Sequence, residues 1–371
     1  MLTIYLKPTN RCTVGCSHCY LPESIRQSKH VMTERKLHEV GKFLAQMHEK
    51  MNSRPIHILW HGGEPLTLRP DYFLKATRIL GEYIPKFTQS IQTSLIPLRS
   101  DHLPVIKELF DNQIGTSVDF GSRKLKGSVN TYIELWLKKV QLARSSGIGI
   151  TPIMVPTCSD INRTHQIVDF MEENNFSRFS IERYNDYGQH IGSCDRPNNR
   201  QHAEFLNDLF DSVMVKMRKA GKAPAVNVTR AALAGMLHGV NGDRWGGDCQ
   251  TSFVVIEPDG GLNSCPDRSS FEPPFSNVSD GYMTFVGSSL RRKWIRYHNV
   301  GHNNAHCSQC SYSEFCKSGC PITPNVPEND GYECSGYHSH LRHVSSWLLE
   351  SADNKKLAIQ YLTQIREGID A

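Results

Sequence analysis

Leu2–Tyr20 reads LTIYLKPTNRCTVGCSHCY, a β-rich run over Thr3–Pro8 that leads directly into Cys12, Cys16 and Cys19, spaced C-x3-C-x2-C. The same strand-then-loop pattern recurs down the chain. Strands are expected at Ile56–Trp60, Ser90–Ser94, Gly115–Asp119, Gly149–Met154 and Phe179–Arg183. Amphipathic stretches lie between them at Thr33–Met51, Asp71–Tyr83, Leu103–Asn112, Asn130–Ser146 and Asn162–Asn174, with Asp71, Asn130 and Asn162 placed as N-caps. Six successive β-α units imply an α/β fold: a parallel sheet with right-handed crossovers, open or partly closed into a barrel. Chemistry in such folds gathers at the C-terminal ends of the strands, where the first cysteine loop lies.

Beyond this region the pattern changes. Gly188–Arg200 is polar and punctuated by Gly and Pro, and marks a boundary. Helical periodicity returns at Gln201–Ala220 and near Arg230–His238. From Gly239 to about Tyr337 the chain is rich in Gly, Pro, Asn and Cys, with one hairpin expected over Phe253–Leu262, turning at Asp259-Gly260. A loop-rich segment of that length needs metal crosslinks to supply what its small core lacks. His340–Gly368 reads as one or two amphipathic helices.

With 371 residues the chain has room for two to three structural units. The hydrophobic fraction of 39% and charged fraction of 21% are those of an ordinary globular protein. Lys and Arg number 42 against 37 Asp and Glu, a net charge of +5 that is too mild and too dispersed for a nucleic-acid groove. No apolar run is long enough to span a membrane, and no signal-peptide pattern follows Met1. Expected partners therefore include neither nucleic acid nor a membrane, and the expected compartment is the cytoplasm. The 12 cysteines would be a poor fit to a disulfide scaffold, which would be short and secreted. Two of them, Cys158 and Cys194, stand alone and are expected as buried thiols; the rest fall in two segments, as metal ligands do.

Three soft thiolates on one loop can wrap one face of an iron–sulfur cube and leave one iron without a protein ligand. A zinc site lacking its fourth ligand, or three incidental thiols, are the bland alternatives. His61-Gly62-Gly63-Glu64-Pro65 follows the second strand. Its glycines permit close backbone approach to a ligand, and Glu64 or backbone carbonyls can accept from an ammonium group. Alone, this segment could be a mere turn.

Together the two motifs resemble those of the radical S-adenosylmethionine enzymes, whose fold is a partial (β/α)6 TIM-like barrel. The resemblance implies a [4Fe–4S] cluster on Cys12, Cys16 and Cys19, its open iron chelated by S-adenosylmethionine, and reductive cleavage to a 5′-deoxyadenosyl radical. Gly62, Gly63 and Glu64 match the segment that holds the methionine amino group. Gln92-Thr93-Ser94 and Ser117-Val118-Asp119 match two further strand ends, and by that match Ser94 and Ser117 line the cofactor site. His18 and Tyr20 flank Cys19 and are expected at the cofactor, His18 standing where relatives carry an aromatic residue. Phe120-Gly121 departs from the family pattern. Arg123 is then the chosen partner for the cofactor carboxylate, with an ordinary loop role for Asp119 and Arg123 as the alternative.

The second constellation runs Cys249, Gly260, Cys265, Cys307-x2-Cys310-x5-Cys316-x3-Cys320 and Cys334. A zinc ribbon would leave Cys249, Cys265 and Cys334 unexplained. This spacing resembles the SPASM extension of the same enzymes, which implies two auxiliary [4Fe–4S] clusters and three in all. By that resemblance Cys307, Cys310, Cys316 and Cys334 hold a distal cluster, and Cys249, Cys265 and Cys320 a proximal one. The proximal cluster lacks a ligand: it is either open toward substrate or completed by Cys194, Asp243 or Asp248. The implied domains are a barrel over 1–190, a helical bridge over 191–240, the SPASM extension over 241–340 and a C-terminal helix over 341–371.

Enzymes that this chain resembles mostly modify peptides or proteins. The first expectation is an oxidative carbon–carbon or thioether crosslink on a ribosomally made precursor peptide, with Asp267 as catalytic base. The sulfatase-maturating members of the family it resembles carry that Asp directly after the cysteine, whereas Pro266 intervenes here, so a turn role for Asp267 is the alternative. An anaerobic sulfatase-maturating enzyme, forming formylglycine, is the second expectation. An iron–sulfur electron carrier without a substrate is the third. The expected reductant is a flavodoxin or ferredoxin. Cys12 lies so near Met1 that no peptide-recognition domain is expected before the barrel. Leader recognition then falls to a separate protein, the barrel core or the SPASM surface. Leu290–His298, with Arg291, Arg292, Lys293 and Arg296 around Trp294, is either a site for an acidic leader or a solvated helix face. Tyr184, Asn185, Asp186 and Tyr187 are candidate substrate contacts or a polar loop.

Overall fold

A computed structural model describes residues 1–185, 192–240, 245, 249–269, 271–297, 305–320, 322–323, 334 and 337–367. Asp186, Tyr187, Asp243, Asp248 and His298 lie outside them. The main sheet has ten strands, numbered here in chain order: β1 (Leu2–Thr9), β2 (Ile56–Gly62), β3 (Phe87–Thr93), β4 (Gln113–Ser117), β5 (Gly149–Met154), β6 (Arg178–Ile181), β7 (Ala225–Val226), β8 (Phe253–Ile256), β9 (Gly261–Asn263) and β10 (Ser276–Asn277). Their order across the sheet is β10-β9-β8-β1-β2-β3-β4-β5-β6-β7. Strands β1 to β6 pair in parallel in sequence order, which is the α/β half-barrel expected of six β-α units.

β1 is buried along almost its whole length, as a parallel strand covered on both faces must be. Helices Glu34–Lys50, Pro70–Gly81, Leu103–Leu109, Val129–Arg144 and Thr164–Glu173 fill the crossovers. Their N-caps differ from the expected ones. Arg69 precedes Pro70, which sits in the first helical turn, Ser128 accepts from Thr131 N, and Arg163 precedes Thr164. In each case a neighbouring residue within a polar run takes the capping position, and proline at the first turn costs no hydrogen bond.

The loop-rich segment does not fold apart from this sheet. Its hairpin, β8 with β9, turns at Asp259-Gly260 as expected, but β8 also pairs in parallel with β1, Thr3 opposite Phe253 through Leu6 opposite Ile256. Gly260 has φ +89°, and a Cβ there would lie 2.8 Å from Asn277 Oδ1, Lys36 Cδ and Val278 Cγ2. At the other edge β7 adds in parallel to β6. The pair Tyr337–Glu350 and Ala352–Glu367 closes the chain, packing on helices Asn199–Ala220 and Asn227–His238. Among the described residues no helix is long and apolar enough to cross a membrane.

Candidate active site

At the C-terminal ends of β1 to β6 a cavity of about 470 Å³ opens, and Cys12, Cys16, Cys19, His18, Tyr20, Gly62, Gly63, Ser94, Ser117, Arg123 and Asp267 all line it. The three-cysteine loop is held there from two sides. Gly15–Cys16 pairs with Arg123–Lys124 in a short antiparallel ladder, and Ser17 N donates to Ser122 O. On the β2 side Gly63 N donates to Thr9 O and Glu64 N to Arg11 O.

That second contact changes the role of the glycines. A Cβ on Gly62 would run into Thr9 O, and one on Gly63 into Asn10 O and Arg11 O. What approaches these glycines so closely is the cysteine loop's own backbone. Glu64 likewise turns away from the cavity. It is fully buried, and its carboxylate accepts from Thr93 Oγ1 (2.5 Å), Leu66 N (3.0 Å), Ser94 N (2.7 Å) and Ser94 Oγ. Burial raises its pKa against those donors. Glu64 therefore fixes the corner that presents Ser94. Tyr132, which no sequence signal marks, sits behind the same corner with Oη 3.1 Å from Ser94 O and 2.7 Å from Ser117 O.

Arg123 reaches over the thiols. Its Nη1 donates to Cys16 Sγ (3.3 Å), its Nη2 lies 3.2 Å from His18 Nε2, and its Nε lies 2.5 Å from the buried Asp119 carboxylate. Burial works against the charge of Arg123, but Cys16 and Asp119 outweigh it and raise its pKa. Asp119 also accepts from Val155 N (2.7 Å). Its site is thus shaped by β4 and β5 together, which is more than a loop residue needs.

The donor set fits an iron–sulfur cube. Burial, with Glu64 and the neighbouring thiols adding to it, pushes Cys12 up to about 12, and burial pushes Cys16 up to about 11. Three neighbouring, partly buried thiols with raised pKa give up their protons most readily to a strong positive charge, which a metal body supplies. Among the described residues no three His, Cys, Asp or Glu side chains are close enough to share one metal ion. The fit rests on residue type and place: three thiols on one loop, all lining the same cavity, offer one ligand to each of three irons of a cube.

In the second constellation Cys316 lies near Cys334, Cys307 and Cys310, and Cys265 near Cys320. Burial pushes Cys316 up to about 12, with Cys334, Cys307 and Cys310 adding to it. Tyr312 N donates to Cys310 Sγ (3.4 Å) and His338 N to Cys334 Sγ (3.3 Å), the backbone donors that a ligating thiolate accepts from. Burial raises Cys265 as well, with Asp267 and Cys320 adding to it. Cys249 begins the short helix Cys249–Ser252 beside β8. Cys194 and Cys158 are not the buried thiols expected: Cys194 is exposed and Cys158 partly so. Cys158 begins the 3-10 turn Cys158–Asp160, its Sγ 3.4 Å from Cys194 O and its N–H donating to Asp195 O.

Asp267 faces the cavity from the short helix Pro266–Ser269, directly after Cys265 and Pro266. Asn185 Nδ2 donates to its Oδ2 at 2.7 Å, and Asn185 Oδ1 accepts from Thr323 Oγ1. Tyr184 packs edge-on to His18 and its hydroxyl donates to Ser17 O. Beneath them Lys7, fully buried on β1, pairs with Glu257 at 2.6 Å and donates to Ser269 Oγ, while Asn10 Nδ2 also donates to Glu257. Tyr5 and His61, their ring centroids 4.4 Å apart and the planes tilted by 30°, complete this wall. None of Lys7, Glu257 or Tyr5 is marked by the sequence pattern, and His61 enters it only as the head of its motif, without a role.

Residues 6–170 match the family model of the Radical SAM superfamily. Among curated proteins the chain is 24% identical over 177 residues to an uncharacterized protein of Methanothermobacter thermautotrophicus, covering 46% of this chain and 63% of the relative. It is 27% identical over 117 residues to an uncharacterized protein of Archaeoglobus fulgidus, covering 32% of this chain and 25% of that one. The chain thus spans less than two thirds of the length of either. To the serine-type anaerobic sulfatase-maturating enzyme of Klebsiella aerogenes it is 20% identical over 350 residues, 90% of this chain and 83% of that enzyme. Among solved structures, native anSMEcpe with bound AdoMet and Cp18Cys peptide shares the fold with a TM-score of 0.76 at 18% identity, over 95% of this chain and 99% of that one. Streptococcus suis SuiB bound to precursor peptide SuiA does so at 0.64 and 15% identity, over 88% and 75%. The matched span begins within β1 and ends within the helix Thr164–Glu173, taking in strands β2 to β5 and the whole three-cysteine loop, and so the chain carries a domain of the radical SAM superfamily.

Proposed function

We propose that this chain cleaves S-adenosylmethionine reductively and oxidises a peptide substrate, crosslinking carbon to carbon or to sulfur within a ribosomally made precursor. One observation carries the reading: the cavity that the three-cysteine loop opens into is closed on another side by Asp267, two residues from Cys265. Cys12, Cys16 and Cys19 would hold the first cluster. His18, Tyr20, Ser94, Ser117, Arg123 and the backbone of Gly62 and Gly63 would hold the cofactor, with Glu64 setting the Ser94 corner. Cys307, Cys310, Cys316 and Cys334 would hold one auxiliary cluster, and Cys249, Cys265 and Cys320 the other. When bound, these groups supply a 5′-deoxyadenosyl radical that removes hydrogen from the substrate and an acceptor for the electron the substrate then gives up.

The chain's own part is to position and to move a proton. Arg123, paired with Asp119, presents a fixed cation to the cofactor carboxylate. Forming the new bond at the substrate radical and passing on one electron releases one proton, and Asp267 accepts it. Asn185 holds the Asp267 carboxylate toward the cavity for that purpose.

A second reading, sulfatase maturation, is favoured by the likeness to the Klebsiella enzyme along most of both chains. The experiment that separates the two supplies the reduced holoenzyme with precursor peptides encoded beside its gene and with a serine- or cysteine-containing sulfatase peptide. Loss of a hydrogen pair from a precursor peptide with an internal crosslink in its fragment spectrum supports the first reading. Aldehyde formation on the sulfatase peptide alone replaces it with the second.

A further inference from the structure

The helix Ser289–Arg296 stands against the segment that carries Asp267, and its two faces differ sharply. The inner face belongs to the protein. Trp294 is buried, Arg291 lies 4.7 Å over the Phe285 ring and donates to Gln250 O, and Arg268, the residue after Asp267, lies 6.0 Å from the Trp294 ring. The outer face carries Arg292, Lys293 and Arg296, all exposed, with Arg296 one turn on from both Arg292 (i+4) and Lys293 (i+3). No carboxylate among the described residues pairs with any of the three. Large exposed apolar side chains accompany them: Leu290 (40% exposed) and Tyr297 (42%) at the helix ends, and Met283 (65%) on the adjoining helix Tyr282–Gly287.

A merely solvated helix face mixes signs, because like charges at this spacing repel. A membrane-surface helix needs its apolar side free, and here Trp294 is committed to the core. Three cations that no carboxylate among the described residues answers, set among exposed Met, Leu and Tyr, fit a segment that is acidic and apolar together. We infer that this face docks an acidic, leucine- or aromatic-bearing leader of the peptide substrate, a segment distinct from the residues that react. The inference rests on the peptide-substrate reading above. It places the leader behind the wall that carries Asp267, so that the reacting part enters the cavity from the same side.

The test is binding, which is read without turnover and so fails separately from the radical reading. Fluorescence anisotropy of the reconstituted holoenzyme would use a labelled amphipathic peptide of Glu and Leu, and a Glu and Ser peptide of equal charge. The Glu/Leu peptide is expected to bind, and added salt to weaken it. The Glu/Ser peptide and the variant R292E/K293E/R296E are each expected to weaken binding about tenfold or more. Reversal of Lys107, Lys126 and Lys222, exposed elsewhere, leaves binding as in the wild type and controls for net charge. Equal binding by the wild type and both charge-reversed variants would overturn the inference. So would a face that ignores the Glu/Leu peptide but binds a ferredoxin, or anionic phosphatidylserine vesicles, with the same sensitivity to R292E/K293E/R296E.

Discussion

Substituting Lys7 by Met should loosen strand β8 from β1 and leave the far side of the sheet untouched. Lys7 is fully buried, and its partner Glu257 keeps only 12% of its side chain exposed. The substitution removes the ammonium that answers Glu257 and donates to Ser269, leaving the carboxylate with the Asn10 amide as a donor. Breaking a buried pair from one side costs about 3–5 kcal/mol, and the small exposure of Glu257 argues for the lower end. About 3 kcal/mol corresponds to roughly a hundredfold rise in local opening, since each 1.4 kcal/mol is a factor of ten. Hydrogen exchange of the holoenzyme reads this directly: amides of Phe253–Ile256 should exchange about a hundredfold faster in K7M, with Gly149–Met154 unchanged. The double variant K7M/E257L removes both charges and should recover most of the protection. Unchanged exchange in β8 for K7M, or a double variant no better than the single one, would refute the role assigned to this pair.

Four further outcomes follow from the site. Asp267→Asn should reduce peptide product by about a hundredfold or more while 5′-deoxyadenosine is still released, as loss of a base after hydrogen removal requires; parallel loss of both would contradict that role. Arg123→Leu should weaken S-adenosylmethionine binding about tenfold, read by equilibrium dialysis, with Arg123→Lys intermediate because it keeps charge but not the fork. Glu64→Leu leaves the Thr93, Ser94 and Leu66 donors unanswered at about 1–3 kcal/mol each and should abolish cofactor binding, whereas Glu64→Gln retains part of it. His340 is fully buried beside Trp245, and burial lowers it to about 3. Below the free imidazole value of about 6.5 the unfolded chain takes up a proton that the folded chain refuses, so stability falls by about 1.4 kcal/mol per pH unit as pH drops from there toward 3. Melting temperatures between neutral pH and mild acid should therefore decline less steeply in His340→Gln.

Much of this molecule could be read from local pattern. The β-α alternation placed β1 to β6 to within a few residues because each buried parallel strand is an apolar run between turns. The cysteine spacings marked both constellations, and Asp259-Gly260 marked its hairpin. What local pattern does not carry is who approaches whom. Gly62 and Gly63 announce a close contact, but only the fold reveals the partner as Thr9–Arg11 of the cysteine loop. Lys7 in an apolar strand finds its answer 250 residues away in Glu257, and Tyr132 finds Ser94 and Ser117 on two different strands. The parallel pairing of β8 with β1 is of the same kind, since a hairpin's sequence says nothing about a third strand. The exposed position of Cys194 follows from a loop path that composition does not specify.

The central claim is tested most directly by reconstituting the chain anaerobically, reducing it with dithionite and following S-adenosylmethionine. The account predicts about twelve irons per chain, as three cubes require, with release of 5′-deoxyadenosine. It also predicts that substituting Cys12, Cys16 and Cys19 together removes about four irons and all of that release. Iron bound without any cleavage of S-adenosylmethionine, or zinc in place of iron, would contradict it.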